Sequence, residues 1–415
     1  MSLAHDTIAI GMTGAFGSGC TTACLALERH QGFHIVRLSK FVREELALTK
    51  PQVKEPSRLQ LQAEGDRIRG RDGSGVLAVR ALTDLDAAEE IYPRVVFDGL
   101  RNPGEVQALQ DRFGSRFALL GVLSDGPTRW DRVYETYLKE GTEQAGFLED
   151  DERDRGEAAD YGQQVARCVD KADAILVNSA AITLSQYEDK VLAMCDLLMR
   201  KKSRDPTIDE IRMEIAFASS YQSRCLKRHV GAVVIDSRGQ QRSTGFNENP
   251  LPTKPCQDEP KYNYKCYRDI VRNDRFADLV RKEVKCPVCG KSLQVDNGPP
   301  WLCSVCLRTG VTTDLEPIFF PDRAMSWCTA IHAEDQALRM AGEGARGATL
   351  YTTTFPCFQC SGHIIMVGVR EVVFVEAYPD PHSARLLDQA GVTVRQFEGV
   401  LSPAFARIFS NARPS

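Results

Sequence analysis

The stretch Leu350-Tyr-Thr-Thr-Thr-Phe-Pro-Cys-Phe-Gln-Cys360 decides the fold of the second half of the chain. Its apolar start predicts a buried strand over residues 348–353, and the residues that follow predict a helix over 358–367. Cys357 and Cys360 then lie at the start of that helix, one turn apart on one face. A helix N-terminus carries partial positive charge, which lowers the pKa of cysteine thiols. The two thiolates are therefore placed to bind one metal ion.

His332-Ala-Glu334 lies at the start of another predicted helix, residues 332–341, and completes a ligand set. One His and two Cys leave the fourth tetrahedral position of zinc open for water, as in a catalytic zinc site. Glu334 then stays available to carry protons between that water and a substrate. The alternative is a structural site on Cys357 and Cys360 with His332 as an ordinary helix residue, which the upstream His-Ala-Glu segment disfavours. We predict His332, Cys357 and Cys360 as zinc ligands and Glu334 as the catalytic residue.

The composition is that of an ordinary globular protein, with 415 residues, of which 43% are hydrophobic and 26% charged. Such a length exceeds what one hydrophobic core usually supports, so two domains are expected. The formal net charge of −4 argues against a whole-molecule attraction to nucleic acid or anionic membranes. No apolar run approaches the ~20 residues of a membrane span, and the N-terminus lacks a secretory pattern. We expect a cytoplasmic protein whose 14 cysteines serve metal binding more than disulfide formation.

The first half opens on an apolar strand, a glycine-rich turn and a helix, the order of a phosphate-binding βα unit. Its turn follows the P-loop pattern G-x-x-x-x-G-K-[ST], except that Cys20 replaces the lysine. The backbone N–H groups can still bind phosphate, and Thr21 can still hold Mg²⁺ with Asp98 in support, whereas the lost charge disfavours phosphoryl transfer. A glycine turn without a ligand is the alternative. The predicted nucleotide-binding residues are Gly14, Ala15, Phe16, Gly17, Ser18, Gly19, Cys20, Thr21 and Asp98.

Strand candidates alternate with helical segments in both halves, which predicts an α/β fold. The first-half strands, predicted to form a parallel sheet, are residues 8–12, 94–98, 117–123 and 174–178. A polar, charged stretch after residue 200 predicts a linker, so we assign one domain to residues 1–200 and another to 207–415. A Pro-, Cys- and charge-rich insertion at residues 251–327 interrupts the second domain.

The insertion carries two C-x-x-C pairs about a dozen residues apart, formed by Cys286, Cys289, Cys303 and Cys306. Four thiolates close the zinc tetrahedron, so this predicted zinc ribbon over residues 286–306 would be structural. A redox pair or free thiols are the alternatives. Zinc ribbons also occur in nucleic-acid-binding proteins, but a modest basic lining favours a structural or interface role. Cys256 and Cys266 lie near the start of the insertion and Cys328 directly follows it, and three such cysteines are more often buried thiols than metal ligands.

The pattern H-x-E followed by P-C-x-x-C is typical of zinc-dependent nucleobase deaminases. Two further stretches, Ser223-Arg-Cys-Leu-Lys-Arg-His-Val-Gly-Ala-Val233 and Thr244-Gly-Phe-Asn-Glu-Asn-Pro250, complete a resemblance that covers Arg212 to Gln396. In these stretches the chain resembles the deoxycytidylate deaminases of the cytidine deaminase superfamily. The resemblance implies a three-layer α/β/α domain and the hydrolytic deamination of a deoxycytidine nucleotide.

The same resemblance implies a set of substrate-binding residues. Asn247 matches the family residue that contacts the nucleotide sugar, and Ala333 and Thr353 would line the pyrimidine pocket. Arg224, with its neighbours Lys227 and Arg228, lies near the family's phosphate position. Glu248 replaces the glycine of the family's loop, which alters the expected loop shape. Without the resemblance, Asn247 would be read as a turn residue.

The first domain resembles nucleoside and nucleotide kinases, through Leu38-Ser-Lys-Phe-Val-Arg-Glu-Glu45 and Val96-Phe-Asp-Gly-Leu-Arg-Asn-Pro-Gly-Glu105. A domain of this kind beside a deoxycytidylate deaminase resembles the bacterial anti-phage dCTP/dCMP deaminases, and Asp151-Glu-Arg-Asp154 and Gly162-Gln-Gln-Val165 extend the likeness. The resemblance implies that the first domain is regulatory and that deoxycytidine nucleotides are converted to deoxyuridine nucleotides during infection. A regulatory nucleotide such as dTTP or dATP, an inhibitory RNA or protein partner, and a homo-oligomer are expected.

Three other functions remain open from the residues alone. A deaminase of tRNA or single-stranded DNA would share the zinc chemistry, but needs a basic groove and stacking aromatics that the sequence does not show. A nucleotide sensor with an inactive deaminase site is disfavoured by the complete ligand set and by Glu334. A working kinase would need another basic residue, such as Arg101 or Arg153, in place of the P-loop lysine.

Overall fold

The fold contains two large β-sheets, each flanked by helices, so the α/β class predicted from the sequence is confirmed. It is described by a computed structural model. The described residues are 6–139, 141, 144–155, 161–267, 270, 284–285, 289, 292–293, 301–302, 309–310, 328–376 and 379–409.

The first sheet has six strands in the spatial order β15-β5-β4-β1-β3-β2. Strands β1 to β5 pair in parallel, as expected for strands joined by helical crossovers. The predicted strand positions are confirmed, while β2 was missed because it is short and half exposed. The strands are β1 (Ile8–Thr13), β2 (His34–Arg37), β3 (Arg94–Asp98), β4 (Phe117–Leu123), β5 (Ala174–Val177) and β15 (Gly399–Val400).

Nine helices are described in the first half, and three of them begin at a capping box. Ser57, Asn102 and Thr183 each accept a hydrogen bond from a backbone N–H of the first turn, while a Gln or Glu three residues later returns one. The helices are α1 (Cys20–Gln31), α2 (Ser39–Thr49), α3 (Arg58–Asp72), α4 (Val76–Ala87), α5 (Pro103–Phe113), α6 (Gly126–Lys139), α7 (Gln144–Arg155), α8 (Val165–Val169) and α9 (Leu184–Leu198).

The second sheet has five strands in the order β14-β13-β12-β6-β7. The β6–β7 hairpin is antiparallel and β12 pairs antiparallel to β6, whereas β12, β13 and β14 are parallel. The strands are β6 (Gly231–Ile235), β7 (Gln241–Phe246), β12 (Thr349–Thr352), β13 (Glu371–Phe374) and β14 (Thr393–Gln396). The helices are α10 (Ile208–Ser220), α11 (Ala333–Ala341), α12 (Phe358–Val367) and α13 (Pro381–Gln389).

Alternate residues of the second sheet face opposite helical layers, as the two-residue period of a strand requires. Val233 and Tyr351 pack in a core with residues of α10. Val234 and Leu350, one position away on the same strands, pack with residues of α11, α12 and α13. The domain therefore has the three layers α/β/α that the resemblance implied.

The chain returns to the first sheet after leaving the second. Strand β15 pairs antiparallel with β5, and helix α14 (Ser402–Phe409) packs beside α9 against the first sheet. From the sequence, this segment was predicted to belong to the 207–415 domain. Strand β15 has only two residues, so the sequence shows no alternating pattern by which it could be recognised. Its pairing with β5 also joins residues that are more than two hundred positions apart in the chain. The core that contains Val233 also contains side chains of the first half, such as Val169, so the two halves share apolar packing.

The insertion is described only in short pieces. Strands β8 (Val284–Lys285) and β9 (Ser292–Leu293) pair antiparallel, as do β10 (Trp301–Leu302) and β11 (Thr309–Gly310). In the sequence, each pair flanks one C-x-x-C segment. Of the four predicted ligands only Cys289 is described. Cys286, Cys303 and Cys306 lie outside the described residues, and the structural zinc stays a prediction. Within the described ranges, no helix has the length and apolar character to cross a membrane.

Candidate active site

A close approach of helix α11 to strand β7 positions the first part of the site. A Cβ on Gly245 of β7 would lie 2.2 Å from the carbonyl oxygen of Ala333 and 2.6 Å from the backbone nitrogen of Ala337, so only glycine allows this packing. Ser243 Oγ donates to the carbonyl oxygen of Ala337 at 2.6 Å. These contacts hold the start of α11, where His332 is the N-cap residue, against the sheet.

Gly245→Ala should therefore destabilise the fold by about 1–3 kcal/mol, because the new methyl group must push α11 away from β7. The same shift should lower kcat, since α11 carries His332 and Glu334. Urea unfolding and steady-state kinetics measure the two effects. Gly362→Ala in α12, where a Cβ meets nothing within 4 Å, is the matched control. Equal stability of the two variants would contradict the proposed packing.

The metal-ligating side chains meet where α11 and α12 begin. His332 Nδ1 lies 3.3 Å from Cys357 Sγ and 3.4 Å from Cys360 Sγ. Tetrahedral zinc with ordinary Zn–N and Zn–S bonds separates such atoms by about 3.6 Å, so the donor set fits zinc. Among the described residues this is the one group of three or more such ligands whose donor atoms all lie within 4.8 Å of one another.

The electrostatics of the two thiols also suit a metal. Cys357 is the N-cap residue of α12, and Cys360 lies buried in its first turn. A hydrogen bond from the Cys360 thiol lowers the pKa of Cys357. Burial raises this pKa, whereas the hydrogen bond and the charge of His332 lower it further. The pKa of Cys360 is raised by the same shared proton, because one thiol must keep it. A divalent cation removes this competition, since it binds both as thiolates.

Glu334 lies beside the ligands and is almost completely buried, with 3% exposure. Its Oε2 atom is 3.8 Å from Cys360 Sγ. Burial raises the pKa of Glu334 to about 7. A carboxyl group that ionises near neutrality can take up a proton and return it in one reaction cycle.

A pocket of about 440 Å³ opens over these groups. Of the substrate residues implied by the resemblance, Asn247 and Ala333 line it. Thr353 does not: its Oγ1 accepts from the Gly231 N–H at 3.1 Å, and it lines a neighbouring cleft. Arg224 is likewise not among the described lining residues. It pairs with Asp258. The described lining residues are Cys225, Lys227, Arg228, Val230, Asn247, Cys266, Cys328, Ala330, His332, Ala333, Glu334, Thr354, Phe355 and Cys357.

Asn247 has a structural role as well as a place in the pocket. Its Oδ1 accepts from the Val230 N–H at 2.7 Å, and its Nδ2 donates to the Arg228 carbonyl oxygen at 2.8 Å. Each amide atom retains one further hydrogen-bonding position. The turn reading and the substrate-binding reading of Asn247 are therefore compatible.

Glu376 is a residue of the site that the sequence analysis missed. Its two carboxylate oxygens accept from Arg228 Nη1 at 2.8 Å and from the Phe355 N–H at 3.1 Å. It thus ties a pocket arginine to the loop that precedes Cys357. The sequence feature that could have revealed it is a carboxylate directly after β13. Strand β13 lies parallel to β12 and next to it, so the residue that follows β13 lies near the loop that follows β12.

The glycine-rich loop of the first half joins β1 to α1, as predicted for a phosphate-binding unit. It borders a cavity of about 550 Å³, and Thr21 Oγ1 donates to Asp98 Oδ2 at 3.0 Å. Gly19 has φ +111°, and a Cβ there would lie 2.4 Å from Asn178 Nδ2, so the turn requires glycine. Burial raises the pKa of Cys20 to about 12, so its neutral thiol supplies no charge in place of the lysine.

Two arginines near this loop, Arg58 and Arg101, are paired with an acidic residue of α7. Asp154, with 0% exposure, accepts from Arg58 Nη2 at 2.7 Å and from Arg101 Nη1 at 3.2 Å, and it also accepts the Phe16 N–H at 3.4 Å. Arg101 lines the loop cavity but is thereby bound to a carboxylate. The side chain of Arg153, the other candidate for the lysine's role, lies outside the described residues.

Asp154→Asn should destabilise the fold by about 3 kcal/mol, because Arg101 loses this counter-charge and Arg58 keeps its pair with Asp150 but loses the one with Asp154. Burial raises the pKa of Asp154, but Arg101 and Arg58 outweigh it and hold the pKa below its ordinary 3.8. The carboxylate therefore stabilises the native state fully at pH values above its ordinary pKa. This stabilisation is lost as the pH falls through the lowered pKa. Urea unfolding from neutral to acidic pH measures both effects. Glu149→Gln, an exposed change in α7, is the control, and a variant as stable as the parent would contradict the network's role.

The comparisons with known proteins agree with this site. The family model described as the cytidine and deoxycytidylate deaminase zinc-binding region matches residues 206–376. The deoxycytidylate deaminase of Schizosaccharomyces pombe is 28% identical over 399 residues, which cover 94% of this chain and 97% of that protein. The deoxycytidylate deaminase of Saccharomyces cerevisiae is 27% identical over 236 residues, 56% of each chain.

Among the solved structures that match the chain is the dCMP deaminase of cyanophage S-TIM5 in complex with dCMP and dUMP. It is 21% identical, covers 47% of this chain and 99% of that chain, and has a TM-score of 0.27. The family match contains His332, Glu334, Cys357 and Cys360, the residues that meet in the pocket. Residues 206–376 therefore form a zinc-binding domain of the cytidine and deoxycytidylate deaminase type, and the protein is a zinc-dependent deaminase.

Proposed function

We propose that this protein hydrolyses the exocyclic amino group of deoxycytidine nucleotides, dCMP and dCTP, and releases deoxyuridine nucleotides and ammonia. One observation carries the proposal: a buried carboxyl group, Glu334, lies against a His–Cys–Cys group that fits zinc, at a pocket lined by Asn247. The relatives named deoxycytidylate deaminase support the choice of substrate.

The residues of the pocket have distinct roles in this reaction. His332, Cys357 and Cys360 would hold the zinc ion, which when bound supplies a Lewis acid for the activation of water. Glu334 takes a proton from the attacking water and gives it to the ring nitrogen, and then moves the second proton, from the newly added hydroxyl group, to the amino group, which leaves as ammonia. Asn247, which lines the same pocket, orients the nucleoside through its remaining hydrogen-bonding positions.

We also propose that a nucleotide bound at the loop of the first half regulates the deaminase. The strand–loop–helix geometry supports phosphate binding, and the Thr21–Asp98 contact supports a Mg²⁺ ion there. The neutral Cys20 agrees with binding without phosphoryl transfer. The apolar core shared between the halves offers a physical connection between the two sites. The regulator would be dTTP, dATP or another nucleotide, and a homo-oligomer or an inhibitory RNA or protein partner would add to this control.

The substrate proposal is tested by incubating the zinc-loaded protein with dCMP, dCTP, cytidine and single-stranded DNA and following uracil formation. We expect product from the two deoxynucleotides. Equal turnover of cytidine would contradict the nucleotide specificity, and product from DNA would favour the polynucleotide alternative.

The regulatory proposal is tested by repeating the assay with dTTP or dATP. Thr21→Ala should abolish any response to the effector, whereas Thr83→Ala, whose hydroxyl contacts only its own helix in α4, should retain it. An identical response in both variants would show that the loop is not the effector site.

We further propose that the protein acts in anti-phage defence, where infection triggers the deaminase and so depletes dCTP in the cell. Phage-infected cells that express the parent protein should lose dCTP, and cells that express Glu334→Gln should not. Equal dCTP levels in both cultures would contradict this role.

A further inference from the structure

A second cavity, of about 590 Å³, adjoins the active-site pocket. Its walls come from both halves of the molecule. Asp170 and Lys171 lie in the turn after α8 of the first half, Tyr221 follows α10 in the second, and Ser402 begins α14. This cavity, which we call the interdomain cleft, is thus a place where the first half can touch a ligand of the deaminase.

The cleft and the active-site pocket have walls in common. Cys225, Lys227, Arg228 and Thr354 line both cavities. Arg228 is close enough to Glu334 for their charges to interact, which places this wall near the reacting centre. A ligand whose base lies beside Glu334 can therefore extend past Arg228 into the cleft.

The charges of the cleft favour an anion. Lys171, Lys227 and Arg228 line it, against one carboxylate, Asp170. Arg228 already has Glu376 as a partner at 2.8 Å and lies 4.0 Å from Asp170, so it is neutralised from both sides. Lys171 is exposed, and among the described residues no carboxylate forms an ion pair with it.

Two hydroxyl groups that line the same cleft bind each other and a carboxylate. They belong to Tyr221 and Ser402, whose hydroxyl oxygens lie 3.1 Å apart, which links α10 to α14. Ser402 Oγ donates to Glu214 Oε1 at 3.1 Å, so both hydroxyl protons are used within the protein. The groups that would bind phosphate are the ammonium groups of Lys171 and Lys227. A nucleotide with a single phosphate would end near Lys227 and Arg228, whereas a longer phosphate chain would continue towards Lys171.

We propose that the interdomain cleft binds the outer phosphates of a deoxycytidine 5′-triphosphate, and that the first half contributes Lys171 to this subsite. The inference rests on the proposed function and adds to it a structural reason for preferring the triphosphate. The first half then takes part in substrate selection directly, apart from any nucleotide at its own loop.

The test is the ratio of kcat/KM for dCTP to kcat/KM for dCMP. Lys171→Ala should lower this ratio roughly tenfold, because one charge-assisted contact made only by the longer phosphate chain is lost. Lys171→Glu should lower it further, since it repels the phosphates, and Lys171→Arg should restore most of it. The fall should appear mainly as a higher KM for dCTP. Lys50→Ala, which removes an exposed lysine elsewhere in the first half, should leave the ratio unchanged.

The outcomes separate this inference from the function on which it rests. A ratio that is the same in the parent, Lys171→Ala and Lys171→Glu overturns the subsite while leaving the deaminase intact. A parent protein that deaminates dCMP but not dCTP also overturns it. No uracil from any deoxynucleotide overturns both proposals. Circular dichroism and thermal unfolding confirm that each variant is folded before its ratio is measured.

Discussion

Glu334→Gln should lower kcat roughly 10²–10⁴-fold while the protein keeps its zinc, because the amide fills the same space but cannot carry a proton. Glu334 is buried beside Cys360, and its side chain is not part of the His–Cys–Cys ligand group. Steady-state kinetics with dCMP and dCTP measure the rate, and elemental analysis measures the metal.

The matched control for this change is Glu343→Gln, which alters a highly exposed glutamate just after α11. Its kcat should equal that of the parent. A Glu334→Gln protein that retains zinc and more than about half of the parental kcat would remove Glu334 from the proton transfers. A protein that loses zinc would instead show that the carboxyl group supports the metal site.

Cys360→Ala should remove the catalytic zinc and lower activity by at least about 10³-fold, because His332 and Cys357 alone leave two of the four zinc positions without protein ligands. The zinc content should fall by one ion per chain relative to the parent. Elemental analysis, paired with the uracil assay, measures both quantities on the same sample.

Cys24→Ala controls for the loss of a buried thiol. Cys24 lies in α1 with 0% exposure, far along the chain from the zinc ligands. This variant should keep both zinc and activity. A Cys360→Ala protein with unchanged zinc content would show that the His–Cys–Cys group does not hold the metal.

The sequence predicted the parts of the site that depend on neighbours along the chain. The N-terminal placement of Cys357 and Cys360 on a helix follows from the spacing of apolar residues and from Pro356. The strand–glycine loop–helix order of the P-loop is a local pattern of the same kind. In each case the relevant residues are within one or two turns of one another. Over such a short distance, helix and turn geometry fixes their relative positions.

Other features depend on contacts that no local pattern encodes. Glu376 became part of the site because β13 lies beside β12, and Asp154 reaches Phe16 across more than a hundred residues. The resemblance implied Thr353 as a pocket residue and Arg224 as a residue near the substrate phosphate; neither is among the described residues that line the pocket, and their side chains bind the Gly231 N–H and Asp258. A resemblance of motifs identifies positions in a chain, whereas a side chain's direction depends on its actual neighbours.

By itself, the sequence predicted the α/β class, a His–Cys–Cys ligand set for zinc and Glu334 as the proton carrier, because residue type and short-range spacing indicate these. Only the tertiary structure decided how deeply Glu334 is buried, which cations meet at the interdomain cleft and that the chain's last strand joins the first sheet. Burial and pairing between distant segments are set by how whole layers pack. The contribution of Lys171 to a site in the other half is a consequence of that packing.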